Sequence, residues 1–127
     1  MELTVRHVDG MRFLAEAQGH GAIMDAAPED GGGGTALSAP QLFVAALGAC
    51  VLEFVLNSRR LHHYPVDRLS VKMYYDELAG PRRIGMIEVM ICLEPHPSYD
   101  MGRRLIAVAR RATLLNPPRL GIRLVRR

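Results

Sequence analysis

Aromatic residues and cysteines are both scarce in this sequence of 127 residues. There is no tryptophan, and three phenylalanines with four tyrosines bring the aromatic share to only 6%. The two cysteines lie 42 positions apart, which matches neither the ligand spacing of a zinc site nor a disulfide framework. We therefore expect two free thiols, no bound metal and no cofactor.

Lysine is nearly absent as well, because Lys72 is the only one among 16 basic residues. The net charge of +3 and the pI near 9.2 therefore come from arginine. Four arginines recur seven residues apart on one face of a predicted C-terminal helix: Arg103, Arg104, Arg110 and Arg111. This pattern fits either nucleic-acid binding or a solvated basic face. The solvated face is favoured because no aromatic residues are interleaved with the arginines, so nucleic acid is not an expected partner.

Neither the start of the sequence nor its longest apolar run predicts a signal peptide or a membrane span. The start, Met1-Glu2-Leu3-Thr4, has neither the basic region nor the apolar segment of a signal peptide. The run from Leu42 to Leu52, which has no charged or polar side chain other than the thiol of Cys50, is shorter than the 18 or so residues of a membrane span. We expect a cytoplasmic protein with one domain over residues 1–127.

The strongest local signal is the start of a helix at Ser38-Ala39-Pro40-Gln41. Ser38 and Gln41 have the spacing of a capping box, and Pro40 is tolerated in a first turn. The helix that follows is apolar on all sides as far as Leu56, apart from Glu53, and must therefore be covered on all sides. Because one small domain covers such a helix with difficulty, we predict a homodimer with this helix at the interface.

The other segments predict short strands and one further helix. Residues 3–25 form a small antiparallel meander with a turn at Asp9-Gly10. Residues 66–75 and 84–94 form a long hairpin. One face of the first strand carries Leu69, Val71, Met73 and Tyr75, and one face of the second strand carries Ile87, Val89, Ile91 and Leu93. Ser98 caps a helix over 99–112, and a last strand contains Leu120, Ile122 and Leu124. The predicted class is α+β, with helices packed on antiparallel sheets.

Four consecutive glycines, Gly31 to Gly34, precede the capping box. The lysine and hydroxyl residue that complete a phosphate-binding loop are missing after them. We interpret residues 28–34 as a mobile loop without regular structure.

The run from Gly34 to Cys50 resembles the signature of the OsmC/Ohr superfamily, the osmotically inducible and organic hydroperoxide resistance proteins. Leu47-Gly48-Ala49-Cys50 is its most specific part, and the segments 21–25, 66–71 and 109–116 also have counterparts in that family. The resemblance implies an OsmC-like fold with a central buried helix, a C-terminal helix and an intertwined homodimer. It further implies a thiol peroxidase that protects against oxidative stress by reducing organic hydroperoxides.

The same resemblance implies a role for Cys50 and shows where this chain departs from the family. Cys50 matches the peroxide-attacking cysteine. The position of the family's second, resolving cysteine falls at Ala112 or Thr113, so reduction would need an external thiol. The family's glutamate corresponds to Pro40 or Gln41, and its arginine position lies near Glu29.

Residue chemistry leaves the role of Cys50 open between inert packing and catalysis. A free thiol is only a few per cent ionised at pH 7 unless a cation lies nearby. Glu53, three residues further on, shares the face of Cys50 and could replace the missing acid if an arginine neutralised it. The candidate arginines are Arg12, Arg82 and Arg83. Glu53 could equally mark where the helix meets solvent or the dimer axis.

Two further groups are expected to be structural. Cys92 lies in mid-strand and is interpreted as packing. The adjacent His62 and His63 point in different directions on a helix and make a poor ligand pair. Two functions remain open: reduction of hydroperoxides through Cys50, or a degenerate family member that binds an apolar ligand or partner at the dimer interface.

Overall fold

The structure is a computed structural model. It describes residues 1–63 and 65–112, without the side chains of residues 59–62. The chain divides into two compact units with a boundary between Ala46 and Leu47. The first unit contains a three-stranded sheet, the second contains a two-stranded sheet and a helix, and the architecture is α+β as predicted.

The first unit begins with the predicted meander. Strands β1 (Thr4–Asp9), β2 (Arg12–Ala17) and β3 (His20–Asp25) pair antiparallel in the order β1-β2-β3. Gly10 sits in the turn between β1 and β2 with φ of +46°, a conformation that favours glycine. The prediction for residues 3–25 is therefore confirmed.

The segment after β3 differs from the mobile loop that its glycines predicted. Pro28–Asp30 form a single turn of 3₁₀ helix, and Gly31 ends it with φ of +88° and a backbone hydrogen bond to Pro28. Proline at the first position and two acidic residues in the first turn both favour such a start. The interpretation as a segment without regular structure was wrong for these residues.

Helix α1 (Ala39–His62) starts at the predicted capping box. The Ser38 amide donates to the Gln41 side-chain oxygen at 2.9 Å, and the Gln41 amide donates to the Ser38 hydroxyl at 3.3 Å. Its 24 residues include a 20-residue stretch, Ala39–Ser58, that is long and apolar enough to span a membrane. The expectation that this apolar segment is too short to span a membrane was therefore wrong, although the core helix of a soluble protein can have the same length and composition.

The second unit packs a hairpin against two helices. Strands β4 (Arg68–Leu78) and β5 (Arg83–Glu94) are antiparallel, with Leu69 opposite Leu93 and Val71 opposite Ile91. Helix α2 (Tyr99–Ala109) is capped by Ser98, whose hydroxyl accepts from the Met101 amide at 3.2 Å. Both the hairpin and the cap were predicted.

The core of this unit confirms the predicted faces of the hairpin. Its buried members come from both helices, from β5 and from the residue that ends the described chain: Val51, Val55, Leu93, Leu105, Ala109 and Ala112. Leu69 and Val71 from β4 pack against this cluster together with Val89 and Ile91 from β5. The predicted strand at residues 120–124 lies outside the described part of the chain.

Candidate functional site

Helix α1 has two faces with different surroundings. Its buried positions recur every three or four residues: Val44, Leu47, Gly48, Val51 and Val55. A second stripe with the same spacing is exposed or half-buried: Leu42, Ala45, Ala46, Ala49, Leu52, Glu53 and Leu56. We call this second set the open stripe. The expectation of a helix covered on every side is not met by the described residues of one chain, because only 28% of the apolar window is buried.

Cys50 lies next to the open stripe and is half-buried. Its side chain packs against the core cluster of the second unit, as do its neighbours Phe54 and Val71. Both Cys50 and Cys92 are free thiols, as predicted. Cys50 is therefore held by apolar packing on one side and, as a residue, is only partly buried.

Glu53 is exposed and shares the helix face of Cys50. Within the described chain it makes no hydrogen bond or ion pair, and the three candidate arginines are engaged elsewhere. Arg82 pairs with Glu77 at 3.4 Å, Arg83 donates to the carbonyls of Ala79 and Pro81, and Arg12 lies 3.6 Å from Asp9. The structure thus keeps the carboxylate beside the thiol and shows no guanidinium paired with it in the described chain.

The positions at which the resemblance implies other residues differ in their surroundings. Gln41 is occupied by the capping box, and Glu29 is exposed in the 3₁₀ turn. Ala112, where a resolving cysteine would stand, is fully buried in the cluster that also contacts Cys50. Thr113, the other possible position, lies outside the described residues. Ala112 therefore supplies packing where the family would supply a thiol.

Sequence patterns did not reveal a cavity of about 1020 Å³ between β5 and α2. Its apolar wall includes Val51 from α1, Leu105 and Ile106 from α2, and Met90 from β5. Cys92, interpreted from the sequence as packing, lines this cavity and is half-buried. The size and apolar character are those of small-molecule sites, which bury most of a ligand and fix it with few polar groups.

Sequence reasoning also missed Asp25, the buried carboxylate that organises the segment before α1. It accepts hydrogen bonds from the Gly33 amide at 3.2 Å, the Thr35 amide at 3.0 Å and the Thr35 hydroxyl at 2.7 Å. The hydroxyl and then the amide of Thr35 are the main reasons why the pKa of Asp25 is lowered, with smaller help from the Gly33 amide and the charge of Arg12. An aspartate six residues before a run of four glycines and a threonine was the available signal.

No group of three histidine, cysteine, aspartate or glutamate side chains is arranged to hold a metal ion in the residues that the structure describes. His63 is exposed, and the side chain of His62 is not described. The chemical groups available at the candidate site are therefore one thiol, one unpaired carboxylate and the apolar surface around them.

No protein-family model and no curated protein matches this sequence. Solved structures do match it. A protein from Psychrobacter arcticus, described as an osmotic stress induced and detoxification response protein, has a TM-score of 0.84 at 18% identity, over 89% of this chain and 84% of its own. An OsmC-like protein from Mycoplasma pneumoniae has a TM-score of 0.78 at 14% identity, over 91% of this chain and 84% of its own.

A third structure carries a description of activity. The organic hydroperoxide resistance protein OsmC from Legionella pneumophila has a TM-score of 0.71 at 18% identity, over 91% of this chain and 88% of its own. These matches extend over both units, and their identities are low enough that the likeness concerns the fold. The chain therefore has the fold of the OsmC/Ohr superfamily, which confirms at the level of the fold the resemblance drawn from residues 34–50.

Proposed function

We propose that this chain is a cytoplasmic thiol peroxidase that reduces organic hydroperoxides through Cys50. The observation that carries the proposal is a half-buried free thiol on α1, beside an unpaired carboxylate, in a fold shared with a hydroperoxide resistance protein. Helix placement fixes the sulfur, while partial exposure leaves it a path to a small peroxide.

The reaction needs an oxidant and a reductant, both of simple chemical classes. The Cys50 thiolate attacks one peroxide oxygen, so that an S–O bond forms, the O–O bond breaks and the organic fragment leaves as an alkoxide that takes up a proton. Cys50 is then a sulfenic acid. A small external thiol condenses with it and releases water, and a second thiol returns Cys50 to its reduced state. External thiols are required because Ala112 offers no resolving sulfur.

A second copy of the chain completes the site in this proposal. The open stripe contains Ala45, Ala46 and Ala49, whose small side chains allow another backbone to approach closely, and Phe43 beside it is 56% exposed. Glu53 lies within this stripe and has no partner in the described chain. An apolar contact around a lone carboxylate is favourable only if a cation accompanies it, so the second copy supplies a guanidinium that also favours the thiolate.

The test is turnover of an organic hydroperoxide with a small dithiol as reductant. We expect wild type to consume peroxide and to accumulate one sulfenic acid at Cys50 when the dithiol is withheld. Cys50→Ser should abolish both. The matched control is Cys92→Ser, which removes the other thiol and should retain the rate. Equal rates in wild type and Cys50→Ser would refute the proposal.

The rate of alkylation at pH 7 tests the cationic partner separately. In a Cys92→Ser background, only Cys50 reacts, and an ionising pocket should make this reaction faster than that of a small free thiol at the same pH. Replacing Arg12, Arg82 and Arg83 by glutamine, one at a time, would identify the contributor as the variant in which Cys50 slows to the rate of the free thiol. A wild-type rate below that of the free thiol would mean an inert thiol.

A second function is favoured by a different observation, the cavity between β5 and α2. We propose as the alternative that this chain is a catalytically degenerate family member that binds an apolar ligand in this cavity. The cavity volume of about 1020 Å³ suits a small organic molecule. An apolar fluorescent probe should bind with a defined stoichiometry and protect Cys92 from alkylation. Ile106→Asp, a change at a half-exposed wall position, should weaken binding, whereas Ala107→Asp on the same helix should not. Unchanged probe binding in Ile106→Asp would exclude the cavity as the binding site of the probe.

A further inference from the structure

Charge is distributed very unevenly along this chain. Residues 99–127 contain eight arginines and one acidic residue, Asp100, whereas residues 1–98 contain eight basic and twelve acidic residues. The positive net charge of the protein therefore comes entirely from its last quarter. Such asymmetry is typical of a segment that meets a polyanion.

The arginines of the two sheets differ from those of α2 in their partners. Each of four sheet or turn arginines lies within 4 Å of a carboxylate: Arg6 with Glu16, Arg12 with Asp9, Arg68 with Glu94 and Arg82 with Glu77. On α2 and directly after it, Arg103, Arg104 and Arg111 are exposed and form no ion pair with any described residue. Asp100 is exposed on the same surface beside Arg103 and Arg104 but forms no ion pair with them, so the surface keeps a net positive charge for an external anion.

An aromatic ring accompanies these cations. The Arg103 guanidinium lies 5.8 Å from the centroid of the Tyr99 ring, and Tyr99 is 81% exposed. Nucleic acid is disfavoured from the sequence alone because no aromatic residue is interleaved with the arginines. Tyr99, one turn before Arg103 on the same face, removes that objection, since an exposed ring beside a guanidinium is a surface on which an unpaired base can stack.

The other side of α2 argues against a membrane as the partner. An amphipathic helix binds a lipid surface by burying its apolar face among the acyl chains. Here Leu105 and Ala109 of that face are buried in the core of the second unit. Only the polar face of α2, together with the half-exposed Ile106, remains for an external partner.

The spacing of the arginines indicates a ligand with several charges. From Arg104 to the end of α2 at Ala109 the helix rises about 7.5 Å, and Arg111 lies two residues beyond that end in a turn. A single phosphate ion cannot bridge that distance, whereas successive phosphates of a strand can. We propose that the arginine face, defined as Tyr99, Arg103 and Arg104 of α2 together with Arg111 just after it, binds single-stranded nucleic acid through phosphate contacts and stacking on Tyr99.

The experiment uses the full chain and a fluorescent 20-nucleotide poly-dT strand, followed by anisotropy between 25 and 300 mM salt. Each phosphate contact on a single strand contributes about 0.7 to the slope of log K against log salt. The double variant Arg103→Gln/Arg104→Gln should therefore weaken binding at low salt and lower the slope by about 1.4. Tyr99→Ala should weaken binding about fivefold or more, and Tyr99→Phe should not.

The matched control is Arg6→Gln/Arg68→Gln, which removes the same charge from arginines that already have carboxylate partners. It should leave the slope nearly unchanged. Equal losses in the two double variants would overturn the proposal, as would the absence of binding at 25 mM salt. Tighter binding to anionic vesicles or to polyglutamate, with no effect of Tyr99→Ala on any ligand, would assign the face to another polyanion and would also overturn it.

Discussion

Asp25 and Glu53 are two carboxylates in contrasting surroundings. Asp25 is 2% exposed, and its oxygens receive three hydrogen bonds from Gly33 and Thr35. Glu53 is exposed on the open stripe of α1 and receives none from the described chain. A carboxylate with this many bonds within its own chain organises that chain, whereas one without them is available to a ligand, a solvent cation or a second copy. Asp25 is therefore a structural residue and Glu53 the functional candidate.

The largest expected effect comes from a change that prevents the loop from closing around Asp25. A Cβ atom on Gly32 would overlap the backbone of Ala26, so Gly32→Ala should destabilise the protein by about 3 kcal/mol, at the upper end for overpacking. Gly102→Ala is the matched control, because its Cβ would meet only Pro97 at 4.0 Å in the interior of α2. That control should stabilise by about 0.5–1 kcal/mol. Urea unfolding measures both, and a neutral Gly32→Ala would mean that the loop is less tightly closed than described.

A smaller effect should follow acid titration of Asp25. Its pKa is lowered in the folded protein, so its contribution to stability is fully present above about pH 4 and is lost as the pH falls through the folded pKa, below 3.8. Asp25→Asn should be less stable than wild type at pH 6. The difference between their urea midpoints should shrink between pH 4 and pH 2. A difference that is constant with pH would show that the charge of Asp25 plays no part.

The smallest effect is expected at Glu53. Because it has no partner within its own described chain, Glu53→Gln should change the free energy of unfolding by no more than about 0.5 kcal/mol in dilute protein, where a second copy has dissociated. Glu94→Gln is the comparison, because Glu94 is a surface carboxylate with a cation, Arg68, at 3.8 Å. This substitution should lower the free energy of unfolding by less than about 1 kcal/mol. A loss above 1.5 kcal/mol at Glu53 that disappears when the protein is diluted would assign its partner to a second copy. The same loss independent of dilution would contradict the contrast with Asp25.

The sequence was sufficient where a local pattern has a single structural solution. Ser38 and Gln41 at capping-box spacing, Ser98 before α2 and the alternation along β4 and β5 all describe interactions between residues a few positions apart. The resemblance of residues 34–50 then identified the fold, which the solved structures support. These features depend on spacing that can be counted along the chain.

The remaining features depend on contacts between residues that are distant along the chain, or on the absence of such contacts. The 3₁₀ turn at Pro28–Asp30 was missed because its glycines suggested freedom, while the order comes from Asp25 and Thr35 on either side. The cavity beside Cys92 arises from the separation of β5 and α2, which no local pattern encodes. The partner of Glu53 could not be predicted because no described residue of this chain supplies one.

The order of elements along the chain has a consequence for biosynthesis. Val51 and Val55 share a buried cluster with Leu93 from β5 and with Leu105, Ala109 and Ala112 from the end of the described chain. The apolar helix α1 therefore emerges from the ribosome well before the residues that bury it have been made. Until translation reaches α2, both faces of this helix are open to aggregation or to a chaperone, and a chain truncated before Ser98 would keep them so.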